Sequence, residues 1–196
     1  MFTGIIKHQG IIDQFESSPE GAKIRIVSSA LVGLIEIGSS VAVNGVCLTA
    51  IEIDTDGFTA DVMPQTLKLT DLGDYTIGQS VNLETSLRAG DEIGGHFVYG
   101  HIDGVGEIAS VIDEGDATLV TIQPSEHLMK YFVPQGSIAI DGVSLTLARV
   151  NSDTITVSLI AETLRQTNLS DRKVGDKVNL EVDMLAKYLE KIKSEG

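Results

Sequence analysis

A thiol and a hydroxyl stand at matching points of this chain, Cys47 in VNGVCLT (residues 43–49) and Ser144 in IDGVSLT (residues 140–146). Both can act as nucleophiles, although a thiol with a pKa near ~8.5 needs an adjacent base or positive charge to become a thiolate. A lone cysteine is most often a small buried hydrophobe. The serine at the equivalent point weakens that reading, because both residues put a polar atom at one place on the scaffold. Thr49/Thr146 and Thr66/Thr163 recur in the same way, with Gln65/Glu162 beside the second pair. Threonine also serves strand propensity and capping, yet a polar set that returns twice reads as two versions of one ligand site. His96 and His101 occur as GGH-x4-H. That spacing puts them on opposite faces of a regular strand, and nothing completes a zinc site. G-x-S-x-G is absent, so a hydrolase triad has no support. The glycines around these histidines instead fit a connector that lets backbone approach a ligand. Taken singly, each histidine is more often structural, and His8 and His127 read as surface residues.

The elements that must position these groups come in two sets. The offset of 97 holds without a gap from Ser40/Ser137 to Leu87/Met184, and 18 of those 48 pairs are identical, which makes this two domains of one fold joined head to tail. In the first copy Gly10-Ile11-Ile12 leads to a turn cluster at residues 17–21, and residues 22–27 alternate as a half-buried strand does. Residues 28–34 read as a short helical turn with Ser28 or Ser29 as N-cap. The Asn44-Gly45 dipeptide between β-branched runs signals a tight hairpin turn. A second hairpin turn at residues 54–57 precedes a strand over residues 58–63. Residues 66–72 (TLKLTDL) read as a short helix closed by Gly73, and residues 81–84 form the last strand. The second copy repeats the order, with Gly106-Glu107-Ile108 answering Gly10-Ile11-Ile12 and residues 163–169 (TLRQTNL) answering TLKLTDL. Short strands at close spacing predict a small closed β-barrel in each half, and Greek-key connection is an expectation that spacing does not fix. Outside the duplication lie residues 88–103, rich in glycine, and residues 183–193. In the latter Met184, Leu185, Tyr188, Leu189 and Ile192 form a helical apolar stripe, which must bury itself on its own chain or in an oligomeric bundle.

The totals narrow the function classes. Of the 196 residues, 42% are hydrophobic and 21% charged, an ordinary globular balance that leaves Val, Ile and Leu to fill the cores, since Trp is absent. A formal charge of −14 repels phosphate backbones and argues against nucleic acid. One cysteine makes no intramolecular disulfide. No apolar run approaches the ~20 residues of a membrane helix, and no secretory signal is read at the start. The expectation is a cytoplasmic protein with no membrane association.

Taken together, MFTGII at the start, the paired VNGVCLT and IDGVSLT, DEIGGHFVYGHIDG, and ETLRQTNL followed by VNLEVD closely resemble the riboflavin synthase family of the α-chain type, a lumazine-binding repeat family. The resemblance spans essentially the whole chain in order. It implies an all-β fold with a C-terminal α-helix: two tandem six-stranded Greek-key β-barrels related by internal duplication. The implied division is an N-terminal barrel over 1–87, a connector over 88–97, a C-terminal barrel over 98–182, and a helix over 183–196 that assembles a homotrimer. The implied reaction is dismutation of two 6,7-dimethyl-8-ribityllumazine molecules by four-carbon transfer, giving riboflavin and 5-amino-6-(D-ribitylamino)uracil, without metal or organic cofactor. The active site is expected between the N-barrel of one subunit and the C-barrel of its neighbour.

Carried over by motif, the N-barrel site comprises Gly4, Ile5, Ile6, Cys47, Leu48, Thr49, Asp61, Val62, Met63, Pro64, Gln65 and Thr66. The C-barrel site comprises Gly100, His101, Ile102, Ser144, Leu145, Thr146, Ile160, Ala161, Glu162, Thr163, Leu164 and Arg165, with Gln135 as a further contact. The substrate's C7 methyl group is acidic, so the first demand is a base, and His101 is the proton-transfer candidate. Cys47, Ser144 or a held water are candidates for addition to C7 of the second molecule, and Asp183 for orienting or relaying. Gln65 stands where the family pattern has Glu, and Gln135 where lysine is common. Gln65 can still accept a ring N–H through its amide oxygen. Relatives of the family that bind lumazine or flavin as a non-catalytic optical antenna are the alternative, against which the retained Cys47, His96, His101 and Ser144 weigh. Docking of the trimer with lumazine synthase is left open.

Overall fold

The alternating run at residues 22–27 becomes a strand with Ala22, Ile24 and Ile26 turned into an apolar interior and Lys23 turned to water. In the computed structural model, which describes residues 1–195, this strand is β2 (Gly21–Val27) of a closed antiparallel barrel. The other members are β1 (His8–Ser18), β3 (Ser40–Val43), β4 (Val46–Ile53), β5 (Gly57–Val62) and β6 (Ser80–Thr85), in the order β1-β2-β5-β4-β3-β6. The second barrel repeats that cyclic order with β7 (Gly104–Glu114), β8 (Ala117–Pro124), β9 (Ser137–Ile140), β10 (Val143–Val150), β11 (Ile155–Ile160) and β12 (Lys177–Val182). Placing β2 beside β5 rather than β3 is a Greek-key connection, and closure leaves no open sheet edge. Each interior is filled mainly by aliphatic side chains, Ile24, Ile26 and Leu83 with Phe58 in the first and Ile108, Ile122, Ile138 and Leu180 in the second. Barrels this small have no room inside for a ligand.

The helices depart from the sequence reading in their bounds. α1 (Ser29–Val32) follows Ser28, but the Ser28 hydroxyl makes no cap bond and donates instead to the Gln9 carbonyl at 2.9 Å. α2 (Pro64–Leu69) and α3 (Ala161–Gln166) both start two residues before the TLKLTDL and TLRQTNL segments and stop before their ends. Pro64 at the first helical position favours the earlier start. The early stop comes from Thr70 and Thr167, whose hydroxyls donate back to the carbonyls of Thr66 and Thr163 and then accept the N–H groups of Leu72 and Leu169. A threonine side chain thus takes over bonds that another helical turn would have made, and Gly73 lies in the one-turn helix that follows, Leu72–Asp74, rather than closing α2. α4 (Met184–Glu195) completes the chain.

The two barrels meet about a pseudo-twofold axis through their Asn44-Gly45 and Asp141-Gly142 turns. Both turns have positive φ at both residues, the geometry expected of Asn-Gly and Asp-Gly hairpins. A Cβ on Gly45 would lie 2.7 Å from the Gly142 nitrogen, and one on Gly142 would lie 2.7 Å from the Gly45 nitrogen, so only glycine lets the tips touch. Around them, buried side chains bond in crossed pairs. Asn82 Nδ2 donates to the Asp141 carbonyl (3.0 Å) and Asn179 Nδ2 to the Asn44 carbonyl (3.1 Å). Asn179 Oδ1 accepts the Asp71 N–H (2.9 Å) and Asn82 Oδ1 the Asn168 N–H (2.8 Å). Arg172 donates through Nε and Nη2 to Asp141 Oδ2 at 3.1 and 2.5 Å.

One member of this network carries a cost. Burial, with a smaller contribution from the Asp141 charge, pushes the Asp71 carboxyl up to about 7. The folded protein then binds more protons at this site than the unfolded chain between about pH 4 and pH 7, so stability falls as pH rises through that window and is level above it. The equivalent residue in the second copy is Asn168, whose amide donates to Asn44 Oδ1 and the Ser80 carbonyl. By the repeat, Asp141 and Lys177 are the counterparts of Asn44 and Ser80 for position 71. Asp71→Asn is therefore expected to raise stability at pH 8 by on the order of 1–3 kcal/mol, with the gain vanishing near pH 4. Thermal unfolding of both proteins at the two pH values checks this, and equal stability at pH 8 would contradict it.

Candidate ligand pockets at the barrel crossover

Cys47 and Ser144 are each the second residue of the strand after a turn at the axis, β4 and β10, and each is half-buried on the outer face of its barrel. Strand alternation then sends Leu48 and Leu145 inward and brings Thr49 and Thr146 out beside the thiol and the hydroxyl. On the neighbouring strands Val62 also points into the core, while Asp61, Met63 and Ile160 are exposed. The helices α2 and α3 follow directly and carry Pro64, Gln65 and Thr66 on one barrel and Ala161, Glu162, Thr163, Leu164 and Arg165 on the other. Gln135 sits in the turn before β9, its backbone N–H bonded to the Leu147 carbonyl, at the Thr146 end of β10.

The structure regroups the remaining site residues. The sequence reading placed Gly4, Ile5 and Ile6 with Cys47, and Gly100, His101 and Ile102 with Ser144. Instead the two segments cross. The Ser144 N–H donates to the Gly4 carbonyl (2.8 Å), and the Cys47 N–H donates to the Gly100 carbonyl (3.0 Å). Ile6 is buried in the core of the second barrel and Ile102 in that of the first. The crossing point is a two-residue antiparallel bridge on the axis, with Phe2 and Val98 exchanging backbone bonds at 2.6 and 3.1 Å. Gly4 and Gly100 have φ of +74° and +78°, and a Cβ on either would stand 2.6 or 2.5 Å from the Cβ of Ser144 or Cys47. Close approach of these backbones therefore requires glycine at both points.

Two buried carboxylates, not singled out from sequence, hold the crossing segments. Glu84 on β6 accepts the Thr3 N–H and hydroxyl at 2.7 Å each and the Gly4 N–H at 2.9 Å. Glu181 on β12 accepts the N–H groups of Tyr99, Gly100 and His101 at 2.6, 2.8 and 3.1 Å. Burial raises both carboxyls above the ordinary glutamate range, and these same hydrogen bonds pull them back down. The signal was present in the sequence: VNLE occurs in both copies, so the same acidic residue returns at the same point of the last strand.

The two neighbourhoods are alike in backbone and unlike in side chains. By the alignment of Gly4 with Gly100, exposed Ile5 takes the place of exposed His101. On the Cys47 side the available imidazole is His101, next in sequence to Gly100, and it stacks on Tyr99 with ring centroids 6.3 Å apart. Beside Ser144 it is His96, whose Nδ1 lies 2.7 Å from Ser144 Oγ. Burial lowers the His96 pKa, and the charge of Asp183 partly offsets this. Asp183 also caps α4, accepting the Leu185 N–H at 2.9 Å, so its influence falls on the His96–Ser144 pair. A cleft of about 370 Å³ opens here, floored by Gly4–Lys7 and walled by Ser144, Glu162 and Thr163. That is the size of a small-ligand site. Glu162 at its rim is held ionised by Arg165, with Nη2 2.6 Å from Oε1. The chemistry on offer is hydrogen bonding by backbone amides, a thiol or hydroxyl, and imidazole proton transfer. Among the described residues no group of three or more His, Cys, Asp or Glu is placed to hold a metal.

Comparison with known proteins agrees with this geometry. The Lumazine binding domain family matches twice, at residues 3–86 and 99–183. The riboflavin synthase of Actinobacillus pleuropneumoniae is 44% identical over 190 residues, 97% of this chain and 88% of that protein. That of Brucella abortus is 42% identical, covering 96% of each, and that of Bacillus subtilis is 42% identical over 96% of this chain and 88% of its own. Among solved structures, LumP complexed with riboflavin superposes with a TM-score of 0.88 at 27% identity, covering 93% of this chain and 100% of that one. LumP complexed with 6,7-dimethyl-8-(1'-D-ribityl) lumazine gives 0.85 at 27% identity, covering 93% and 99%. With two family repeats filling most of its length and full-length relatives above 40% identity, the chain belongs to the lumazine-binding riboflavin synthase family.

Proposed function

We infer that the protein is a riboflavin synthase, a transferase that converts two molecules of 6,7-dimethyl-8-ribityllumazine into riboflavin and 5-amino-6-(D-ribitylamino)uracil. The observation that carries this is the duplicated frame: one backbone arrangement built twice, with Cys47 and the Gly100–His101 segment at one copy and Ser144, His96 and Ile5 at the other. A reaction between two copies of one molecule needs two similar sites, and the unequal roles of donor and acceptor need the sites to differ. An antenna protein needs one site and no such difference, and identity to LumP is 27% against 42–44% for the enzymes.

The residues divide the work as follows. Backbone groups of Gly4, Cys47, Gly100 and Ser144 fix the crossing segments against which a planar ring lies. His101, exposed and stacked on Tyr99, takes a proton from the acidic C7 methyl of one molecule. Its carbanion and the second molecule, after addition of Cys47, Ser144 or water at C7, form the new carbon–carbon bonds. The added nucleophile leaves again, so the two products hold all the atoms of the two substrates. At neutral pH the half-buried His96 is uncharged, and its Nδ1 can accept the Ser144 hydroxyl proton. Holding the two rings in register is worth ~7–11 kcal/mol of the barrier.

The reading includes a homotrimer with each active site shared between the N-barrel of one subunit and the C-barrel of the next. Supporting it, Leu185, Tyr188, Leu189 and Ile192 of α4 are each 64–69% exposed on the single chain. Met184 is half-buried and leaves the stripe one residue shorter than the sequence reading gave it. The opposite side of α4 is pinned by Lys187–Asp103 (2.5 Å) and Lys130–Glu190 (3.7 Å). The division into barrel units over 1–87 and 98–182, a connector over 88–97 and an assembly helix over 183–196 is kept in the proposal, with residues 2–6 and 98–102 exchanged between barrels. A cytoplasmic location and association with lumazine synthase complete it. Among the described residues no helix is long and apolar enough to cross a membrane.

Purified protein given 6,7-dimethyl-8-ribityllumazine should produce riboflavin fluorescence, whereas tight binding without turnover would favour the antenna reading. Replacing Leu185 and Leu189 together by Asp is expected to give a folded monomer with kcat lowered by about 10²-fold or more, given the sensitivity of reactant positioning. Sedimentation and turnover measured on the same sample check it, and full activity from a proven monomer would refute the shared site. Protonation of His96 turns Nδ1 from acceptor to donor, so kcat should fall on the acid side, below the ordinary histidine value of ~6.5. That limb should disappear from the residual activity of Ser144→Ala, and an unchanged pH profile in this variant would remove the pair from the mechanism.

A further inference from the structure

We propose that Glu84 and Glu181 are crossed positioning residues, each standing in the last strand of one barrel and holding the backbone that walls the ligand pocket of the other. Glu84 lies opposite Ala42 in the first barrel, and Glu181 opposite Ala139 in the second. The three bonds accepted by Glu84 fix Thr3 and Gly4, and the Gly4 carbonyl is the acceptor of the Ser144 N–H. The three accepted by Glu181 fix Tyr99, Gly100 and His101, and the Gly100 carbonyl is the acceptor of the Cys47 N–H. The hydrogen bonds that these carboxylates accept from the described residues include none from Arg. All six bonds come from the crossing segments themselves, five from backbone N–H groups and one from the Thr3 hydroxyl. A side chain serving only to join the barrels needs no such convergence on two or three consecutive amides.

Glutamine is the informative replacement. It keeps the shape but turns an NH2 group toward at least one N–H donor, so the crossing segment loses part of its anchor. The inference rests on the lumazine-binding reading above for the identity of the ligand, but not for the anchoring itself. Two measurements separate them. In hydrogen exchange without ligand, Glu181→Gln should speed exchange at the amides of Tyr99, Gly100 and His101 by about tenfold, the loss of one charge-assisted bond, and leave Thr3 and Gly4 unchanged. Glu84→Gln should do the reverse.

The second measurement uses Cys47, the single cysteine, as reporter of its own pocket. Protection of its thiol from alkylation by 6,7-dimethyl-8-ribityllumazine should need about tenfold more ligand in Glu181→Gln and no more in Glu84→Gln. In a background of Cys47→Ser with Ser144→Cys, the thiol reports the other pocket and the pattern should invert. An uncrossed pattern, equal loss in both pockets, or unaltered exchange at the anchored amides overturns the proposal. Should a glutamine variant not fold, Glu84→Asp and Glu181→Asp, which keep the charge and withdraw it by one methylene, give the same crossed comparison. If lumazine fails to protect either thiol in the otherwise unsubstituted proteins, the ligand reading has failed, and the exchange data still decide the anchoring.

Discussion

The contact between Gly45 and Gly142 sets the distance at which everything else in this molecule is built. With no side chain on either tip, the two hairpins approach until backbone nitrogen meets backbone. At that separation Asn82 and Asn179 reach across to the opposite turns, and Phe2 can pair with Val98 on the axis. One methyl group at either glycine would force the barrels apart and break these bonds together. The cost of burying so many amides and carboxylates is offset because nearly every one is paired, several with charge-assisted partners.

The same closeness decides where ligands can bind. The barrel interiors are full, and the axis is occupied by Phe2, Ala42, Val98 and Ala139, all of them 2% exposed or less. What remains is the outer face of β4 and β10, where a crossing segment lies one backbone away from the strand. A flat ring placed there meets main-chain donors and acceptors along an edge, with Cys47 or Ser144 at its centre. With Phe2 and Val98 filling the axis, no ring fits between the two frames. Under the proposed trimer this is the arrangement that needs a neighbouring chain to bring a second ring over the first. Lys187 bonds Asp103, two residues past His101, so the helix carrying the exposed stripe is tied to the segment that lines the Cys47 pocket.

Much of the fold was legible because it is written locally. Alternation at residues 22–27, Asn-Gly and Asp-Gly turns, and an offset of 97 in the paired motifs are all short-range or self-similar signals. The crossing was not legible. Strand periodicity tells which face of a segment is apolar and is silent about which barrel receives it, and Ile6 and Ile102 would satisfy either core. The offset falls from 97 to 96 upstream of the paired windows, as Gly10/Gly106 and Gly4/Gly100 show, and the same offset of 96 in the first two strands of each barrel places the one-residue insertion of the second copy just after β8. Glu84 and Glu181 were visible as a repeated residue but not as anchors, because their partners lie 80 to 82 positions away in sequence. The ends of α2 and α3 were misplaced for a local reason, the threonine hydroxyls that replace a helical turn.

Duplication gives two equal pockets, and the chemistry depends on what has since made them unequal. Gly4 and Gly100 could not drift, since both are fixed by positive φ and by contact with the next strand. Positions one residue on are free of that constraint, and there the copies hold Ile5 and His101. Cys47 and Ser144 differ by a sulfur for an oxygen at a point where the backbone is held by the same bond in both. The exposed imidazole of His101 lies on the thiol side and the half-buried one of His96 meets the hydroxyl, so the proton-transfer group nearest each has a different access to solvent. Unequal roles for two copies of one molecule therefore need no difference in fold. They follow from side chains that the shared backbone leaves free to vary.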